Sequence, residues 1–197
     1  MLKNYAPLTS SMLLPGSGFA SPTHVLPERI GMNDYALAVM TDFERVSAVL
    51  IRPDDSIDEA NQRMIQRGVR LLLVTDAHRA VAGIITANDI LGEKPMQIIT
   101  ERGGRRQDLV VRDIMTPQDR LEVLNLRDVQ HARVGQIVAT LKESARQHAL
   151  VVDHNSEGRQ RVRGMFSLTQ IARQLGVSIQ PSEIARTFVE IEAQLTH

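Results

Sequence analysis

Cysteine is absent from the 197-residue chain, and this absence excludes disulfide scaffolds, cysteine–zinc sites and thiol catalysis. An excess of charge of either sign is missing too, because 23 basic residues balance 23 acidic ones. A neutral chain has no overall field that would draw it to nucleic acid or to an acidic membrane surface. We therefore predict neither nucleic acid nor a membrane as a partner.

Long apolar runs are also missing, since no stretch approaches the roughly 18 residues that are needed to span a bilayer. Pro15, Gly16 and Gly18 interrupt the early residues, so these do not form a secretory signal. Together these absences predict a cytoplasmic protein.

Motifs of catalysis are lacking as well. The chain has no Gly-x-Ser-x-Gly nucleophile motif and no glycine-rich phosphate loop with its lysine. Its histidines are scattered, and no pair has the spacing of metal ligands. The adjacent Asp54 and Asp55 fit the start of a helix better than a catalytic carboxylate pair. The sequence therefore predicts a protein that is not an enzyme and requires no metal.

What the chain does contain is one pattern that occurs twice. The spacing between the copies grows from 75 residues (40 to 115) to 81 residues (83 to 164), which small loop insertions explain. The matching segments are Met40-Thr41 and Met115-Thr116, Ile51-Arg52 and Leu126-Arg127, Leu73-Val74-Thr75-Asp76 and Leu150-Val151-Val152-Asp153, and Gly83-Ile84-Ile85-Thr86 and Gly164-Met165-Phe166-Ser167. Two copies are too few for a solenoid. The sequence therefore predicts a pair of pseudo-symmetric repeats.

Each repeat has the pattern strand, helix, strand, strand, helix, which predicts an α/β (α+β) fold. In the first copy, the long helix is expected to begin at Asp54, Asp55 or Ser56 and to end at Gly68. Its apolar face is predicted to consist of Ile57, Ala60, Met64 and Ile65. In the second copy, a strand is expected at residues 124–126 and a helix whose apolar face consists of Val134, Ile137, Val138 and Leu141. A unit of about 60 residues is marginal on its own, so the two copies should share a core.

The predicted division of the chain has five parts: an N-terminal arm (1–35), the first repeat (36–92), a linker (93–110), the second repeat (111–176) and a C-terminal amphipathic helix (177–197). The run from Arg102 to Arg106 in the linker is predicted to be a flexible basic loop. The apolar stripe of the C-terminal helix consists of Ile184, Phe188, Ile191 and Leu195. This stripe is expected to pack either on the repeats or on a second chain.

One group of residues in the first repeat suggests a nucleotide site. Thr86 and Asp89 stand at the start of a helix, where free backbone amides suit a phosphate and an ionised carboxylate can accept both hydroxyls of a ribose. Gly83 allows a ligand or another backbone to come close, while Leu71 and Ile85 can form a slot for a flat base. The alternative for Thr86 and Asp89 is a capping box, which only stabilises the helix.

The second copy departs from this pattern. Ser167 and Gln170 take the corresponding places, and the amide of Gln170 lacks the charge of a carboxylate. A capping role is therefore favoured for this pair. The asymmetry between Asp89 and Gln170 predicts one nucleotide per chain, not two, with the cleft beside Gln170 empty. The alternative is that Arg70 reaches across the pair and holds a phosphate in that second cleft instead.

The repeated motifs resemble a tandem pair of CBS (cystathionine-β-synthase) domains. The resemblance rests on residues 69–76, 83–91 and 111–117 and covers roughly residues 36–176. It implies a pseudo-twofold pair with two clefts between the repeats, usually assembled into a disk-shaped homodimer. It also implies an adenosine-type ligand, such as AMP, ADP, ATP or S-adenosylmethionine, and a regulatory role without catalysis.

The resemblance adds two residues to the candidate site. Arg70 matches a family position that often presents a basic group to phosphate, and His148 stands near the equivalent strand start of the second copy. The alternative for both residues is a solvated strand end. The resulting hypothesis is a homodimeric sensor of adenine nucleotides. The alternative is a ligand-free scaffold that only dimerises and whose downstream partner is unknown.

Overall fold

Two four-stranded sheets and seven α-helices form the part of the chain that the structure, a computed structural model, describes: residue 27, residues 29–177 and residue 191. In chain order, the elements are β1 (Thr41–Asp42), β2 (Leu50–Ile51), α1 (Ile57–Arg67), β3 (Leu71–Thr75), β4 (Val81–Thr86), α2 (Ala87–Leu91), α3 (Lys94–Arg102), α4 (Val111–Ile114), β5 (Thr116–Pro117), β6 (Val123–Asn125), α5 (Leu126–Val129), α6 (Val134–Glu143), β7 (His148–His154), β8 (Gln160–Ser167) and α7 (Leu168–Gln174). The predicted fold class and the order of elements in both repeats are confirmed.

Local sequence sets the bounds of α1 as predicted. The helix begins after Ser56, whose hydroxyl oxygen accepts a hydrogen bond from the Glu59 amide. It ends at Gly68, whose φ of 63° lies in the left-handed region that favours glycine. Ile65 departs from the prediction, because its side chain is 72% exposed. The buried stripe of α1 is therefore narrower than the sequence suggested.

The second repeat follows the same plan with one change. All four residues of the predicted apolar face of α6 are buried. Leu126, however, begins helix α5 instead of ending a strand, because the Asn125 side chain caps the helix by accepting from the Arg127 amide at 3.0 Å. The strand thus covers Val123–Asn125.

The two sheets exchange short strands. The first sheet has the order β2-β3-β4-β5 and the second has the order β1-β8-β7-β6. Strand β1 lies in the first segment of the first repeat but pairs with β8 of the second, and β5 lies in the first segment of the second repeat but pairs with β4 of the first. Each lead-in segment therefore completes the sheet of the opposite repeat.

The residues around the exchanged strands pack in the same crossed way. A 3-10 turn at Ala36–Val39 contributes Ala36 and Val39 to the core of the second repeat. Helix α4 contributes Val111 and Ile114 to the core of the first repeat. The physical units therefore differ from the continuous segments 36–92 and 111–176, because each unit needs the residues that lead into the other.

The predicted linker contains a helix. α3 (Lys94–Arg102) contributes Ile98 and Ile99 to the edge of the first core. Two arginines after it are tied down, since the Arg106 guanidinium donates to the Ile90 carbonyl oxygen at 3.1 Å and Arg105 pairs with Asp108 at 3.3 Å. The basic run is thus engaged in local contacts on the surface of the first repeat.

The two sheets face each other across a third apolar cluster, in which Leu71, Leu73 and Leu150 are buried. Of the predicted C-terminal stripe, only Ile191 is among the described residues. It is 1% exposed and packs in the core of the second repeat, which favours packing within the chain at this position. Ile184, Phe188 and Leu195 lie outside the described residues. Residues 1–26 and residue 28 of the arm lie outside them as well.

Candidate functional site

Two clefts lie between the repeats, at the end of the sheets where β3 and β7 begin. In each cleft, the helix start of one repeat faces the strand start of the other. The Asp89 cleft, about 260 Å³, is lined among others by Thr86, Asn88 and Asp89 of the first repeat and by Gln147 and His148 of the second. The Gln170 cleft, about 410 Å³, is lined among others by Ser167, Thr169, Gln170 and Arg173 of the second repeat and by Arg67, Arg70 and Leu71 of the first.

In the Asp89 cleft, the carboxylate is already engaged. Oδ2 of Asp89 accepts hydrogen bonds from the amide and the hydroxyl of Thr86, at 2.8 and 2.6 Å, and the Thr86 hydroxyl oxygen accepts from the Asp89 amide at 3.3 Å. Oδ1 is paired with the Lys94 ammonium group, which also donates to the Ile114 carbonyl oxygen at 3.2 Å. Thr86 and Asp89 thus form a complete capping box, and a ribose would have to compete with these partners.

The Gln170 cleft has a different charge. In the part of the chain that the structure describes, its lining includes the three guanidinium groups of Arg67, Arg70 and Arg173 and no carboxylate. Among the described residues, no carboxylate lies within ion-pair distance of any of the three, and Arg70 donates only to Asn88 Oδ1, at 3.1 Å. The lining of the Asp89 cleft instead combines Arg120 and Arg146 with Asp89 and Glu122. One cleft is therefore basic and the other is balanced.

The crossed arrangement divides the predicted site residues between the clefts. Thr86 and Asp89 line one cleft, Arg70 and Leu71 line the other, and His148 lines both. Sequence reasoning had grouped Arg70 and Leu71 with Asp89 because they belong to the same repeat. The structure separates them because each cleft takes its strand start from the opposite repeat.

Ile85 is not where the predicted base slot would need it. The residue is fully buried in the core of the first repeat and is not among the residues that line either cleft. Because side chains alternate along a strand, its neighbour Ile84 faces the Asp89 cleft in its place. The apolar wall of that cleft is thus offset by one residue from the prediction.

Gly83 allows another backbone to approach, which was one of the two predicted reasons for a glycine. A Cβ at this position would collide with the carbonyl oxygen of Thr116 on β5. Its counterpart Gly164 is equally restricted, because a Cβ there would lie 2.5 Å from the carbonyl oxygen of Thr41 on β1. These glycines make room for the exchanged strands, and Gly83 does not line a cleft.

His148 lies between the two helix starts. The pKa of His148 is lowered to about 4, mainly by burial and also by the nearby Arg70 charge, while the Asp89 charge opposes the shift. The imidazole is therefore neutral at pH 7, so it offers one hydrogen-bond donor and one acceptor to the clefts. In the first repeat, Leu71 holds the corresponding place, since Leu71 pairs with Thr86 as His148 pairs with Ser167.

Arg67, Thr169 and Arg173 were not predicted as site residues. Arg67 precedes Gly68 at the end of α1, and Arg173 lies one turn after Gln170 in α7. Spacing along α7 placed Arg173 near Gln170, but only the crossed packing shows that Arg67 and Arg70 meet it. That contact joins the two repeats and has no local signal in the sequence.

Two further features of the described residues bear on the class of protein. No group of three or more His, Asp or Glu side chains in residues 27, 29–177 and 191 could hold a metal ion. Within the same residues, no helix is both long and apolar enough to cross a membrane.

Comparison with known proteins identifies the class that these clefts and sheets define. Residues 34–95 match the family model described as CBS domain. This segment of the first repeat is therefore similar to a CBS domain, and the fold of the chain is that of CBS-pair proteins. No curated protein matches the chain in sequence.

Solved structures share this fold at low sequence identity. An uncharacterized conserved protein from Pyrococcus horikoshii aligns with a TM-score of 0.54 and 22% identity, over 78% of this chain and 100% of that chain. The CBS-domain-containing protein ATU1752 from Agrobacterium tumefaciens gives 0.50 and 20%, over 69% and 93%. The CBS domain pair of protein MJ0100, in complex with 5′-methylthioadenosine and S-adenosyl-L-methionine, gives 0.50 and 19%, over 73% and 96%.

Proposed function

We propose that this protein is a regulatory sensor, not an enzyme, that binds an adenine nucleotide (AMP, ADP or ATP) or another adenosyl ligand between its repeats. The phosphate end lies in the Gln170 cleft. The observation that carries the proposal is the convergence of Arg67, Arg70 and Arg173 in a cleft to which the described residues 29–177 contribute no carboxylate. Three like charges at one place repel one another, and an anionic ligand would offset that repulsion.

The chemistry of the cleft suits a phosphate monoester. Guanidinium groups match phosphate oxygens in planar, two-point hydrogen bonds, and the hydroxyls of Ser167 and Thr169 can donate as well. Apolar side chains, Leu71 and Met165 among them, line the same cleft, as is usual for sites that hold a flat base. Gln170 supplies one acceptor and two donors for a ribose.

The adenosyl class of ligand has a precedent in this fold, because the CBS pair of protein MJ0100 was solved with two adenosyl compounds. S-adenosylmethionine carries a positive sulfonium group, however, which the three guanidinium groups would repel. The charge of the Gln170 cleft therefore favours a nucleotide phosphate over a sulfonium compound.

Calorimetric titration with AMP, adenosine and S-adenosylmethionine tests the proposal. AMP should bind more than tenfold tighter than adenosine, because hydrogen bonds to charged groups contribute roughly 1.5–3 kcal/mol each. Arg173→Gln should weaken AMP at least tenfold and leave adenosine unchanged. Arg159→Gln is the matched control, because Arg159 is exposed, pairs with Glu157 and lines neither cleft.

Each contrary result has a distinct meaning. Equal affinities for AMP and adenosine would refute the phosphate assignment. Loss of AMP binding in Asp89→Asn but not in Arg173→Gln would place the nucleotide in the Asp89 cleft instead. If none of the three compounds binds, the ligand-free scaffold becomes the better account of the protein.

A further inference from the structure

A third cavity lies between the sheets at the end opposite the two clefts. This hairpin cavity is the space between the β3–β4 turn and the β7–β8 turn, and its volume of about 830 Å³ exceeds that of either cleft. Binding sites for small molecules commonly have volumes of roughly 300–1,000 Å³. The cavity is thus large enough for a ligand. It adjoins both clefts, since it shares Leu73 with the Gln170 cleft and Leu150 with the Asp89 cleft, but it opens at the hairpin turns and not at the helix starts.

Apolar and polar groups contribute about equally to the walls of the hairpin cavity. Leu50, Leu73, Val81, Leu121, Val152 and Val162 are among the residues that line it. At its rim, Arg79 and Arg161 are the charged residues among the described part of the chain, which contributes no carboxylate to the lining. Apolar side chains beside a basic rim suit a molecule that has an apolar tail and an anionic head.

The two arginines at the rim differ in whether they form ion pairs with carboxylates of the protein. The guanidinium of Arg161 is bound on both sides, by Asp153 at 2.7 Å from Nε and by Glu44 at 2.7 Å from Nη2. Among the described residues, no carboxylate pairs with Arg79. Arg79 is therefore the cation at this rim that has capacity for an external anion.

The backbone at Arg79 is unusual as well. Its φ is 64°, in the left-handed region that favours glycine. The β3–β4 and β7–β8 turns have the same hydrogen bonds: Arg79 N donates to the Asp76 carbonyl oxygen at 3.1 Å, and Gly158 N donates to that of Asn155 at 2.9 Å. Arg79 thus occupies the position that Gly158 holds in the equivalent turn. An arginine is strained in this backbone conformation, and its side chain lines the cavity.

We infer that the hairpin cavity binds an amphipathic carboxylate, such as a medium-chain fatty acid, with its tail between the sheets and its head on Arg79. One unpaired guanidinium fits one carboxylate in a two-point hydrogen-bonded pair. The apolar walls would remove the tail from water. This site is independent of the nucleotide proposed for the Gln170 cleft.

The experiment titrates the full chain with octanoate, hexanoate and 1-octanol by calorimetry, with amide NMR shifts to locate the ligand. Each CH₂ group that the cavity buries should strengthen binding about fourfold, so octanoate should bind more than tenfold tighter than hexanoate. Octanoate should also bind at least tenfold tighter than octanol, which lacks the charge. The shifts should concentrate at Val81 and Val152 and not at Leu71.

Arg79→Gly is the decisive variant, because the equivalent turn already has glycine at this position and the fold should be kept. Its octanoate affinity should fall at least tenfold, to the level of octanol. Arg159→Ala is the control, since this arginine follows Gly158 in the opposite turn and does not line the cavity. Any of three results overturns the inference: no octanoate binding, equal affinity in Arg79→Gly, or shifts confined to the clefts.

Discussion

At the scale of single residues, two glycines have a role that only the tertiary structure shows. Gly83 and Gly164 recur at the same place in the two repeats, and each lies against the backbone of an exchanged strand. A side chain at either position would push β5 or β1 away from its sheet. Glycine therefore recurs at this position because each sheet accepts a strand, β1 or β5, from the opposite repeat.

Gly83→Ala should destabilise the protein by about 1–3 kcal/mol, as overpacking a tight site usually does. Gly164→Ala should have a similar effect for the same reason. Gly135→Ala is the control, because a Cβ at this helical glycine would come no closer than 3.4 Å to other atoms, and alanine favours helices. Urea unfolding measures all three. Equal midpoints for Gly83→Ala and the parent would contradict the role assigned to this glycine.

His148 predicts a dependence of stability on pH. Burial lowers its pKa from 6.5 in the unfolded chain to about 4 in the folded protein. Between these values the unfolded state binds a proton that the folded state does not, so stability falls as the pH falls through this window. From pH 7 to pH 5 the loss attributable to this residue should be about 1–2 kcal/mol.

His148→Leu should remove that part of the loss, because leucine does not titrate and already occupies the corresponding position 71. Thermal unfolding of both proteins at pH 7 and pH 5 provides the measurement. If parent and variant lose the same stability between the two pH values, His148 does not titrate as argued.

At the scale of secondary-structure elements, the crossed lead-ins make each repeat depend on residues that are far away in the sequence. Val39 lies at the start of the first repeat but is buried in the core of the second, and Val111 lies at the start of the second repeat but is buried in the core of the first. The order of the elements along the chain thus gives the wrong neighbours for both segments.

Val39→Ala and Val111→Ala should each cost about 2 kcal/mol, because each removes two buried carbons and leaves a cavity. Amide hydrogen exchange measures the loss of protection in each repeat, so it distinguishes the two variants if the repeats open independently. Val39→Ala should reduce protection in β7 and β8, while Val111→Ala should reduce it in β3 and β4. The reverse pattern, with each variant weakening the repeat that follows it in sequence, would refute the crossed packing.

The sequence predictions were correct where the signal is local and wrong where tertiary packing decides the structure. The order of elements, the cap at Ser56 and the end at Gly68 were predictable because their signals are local. The exchange of β1 and β5 was not, since a two-residue strand has no periodicity and its partner is chosen by tertiary packing. The same limit explains why Arg70 was assigned to the cleft of Asp89, whereas the structure places it with Gln170.

At the scale of the whole molecule, charge breaks the pseudo-symmetry of the two repeats. The two clefts use equivalent positions, yet among the described residues one is lined by three arginines and no carboxylate and the other by two arginines, an aspartate and a glutamate. A phosphate-bearing ligand should therefore distinguish between them, although a neutral nucleoside need not.

This asymmetry predicts one AMP per chain at moderate ligand concentration, and it predicts that the bound nucleotide joins the repeats. Arg70 belongs to the first repeat and Arg173 to the second, so a phosphate held by both stabilises the contact between the sheets. At a hundredfold excess over the dissociation constant, AMP should raise the free energy of unfolding by about 2.7 kcal/mol. Hydrogen exchange should then slow in β3 and in α7 together.

A stoichiometry of two equal sites, or protection confined to one repeat, would contradict the bridging arrangement. Adenosine at the same saturation serves as the control, because without a phosphate it should not draw Arg70 and Arg173 to one group.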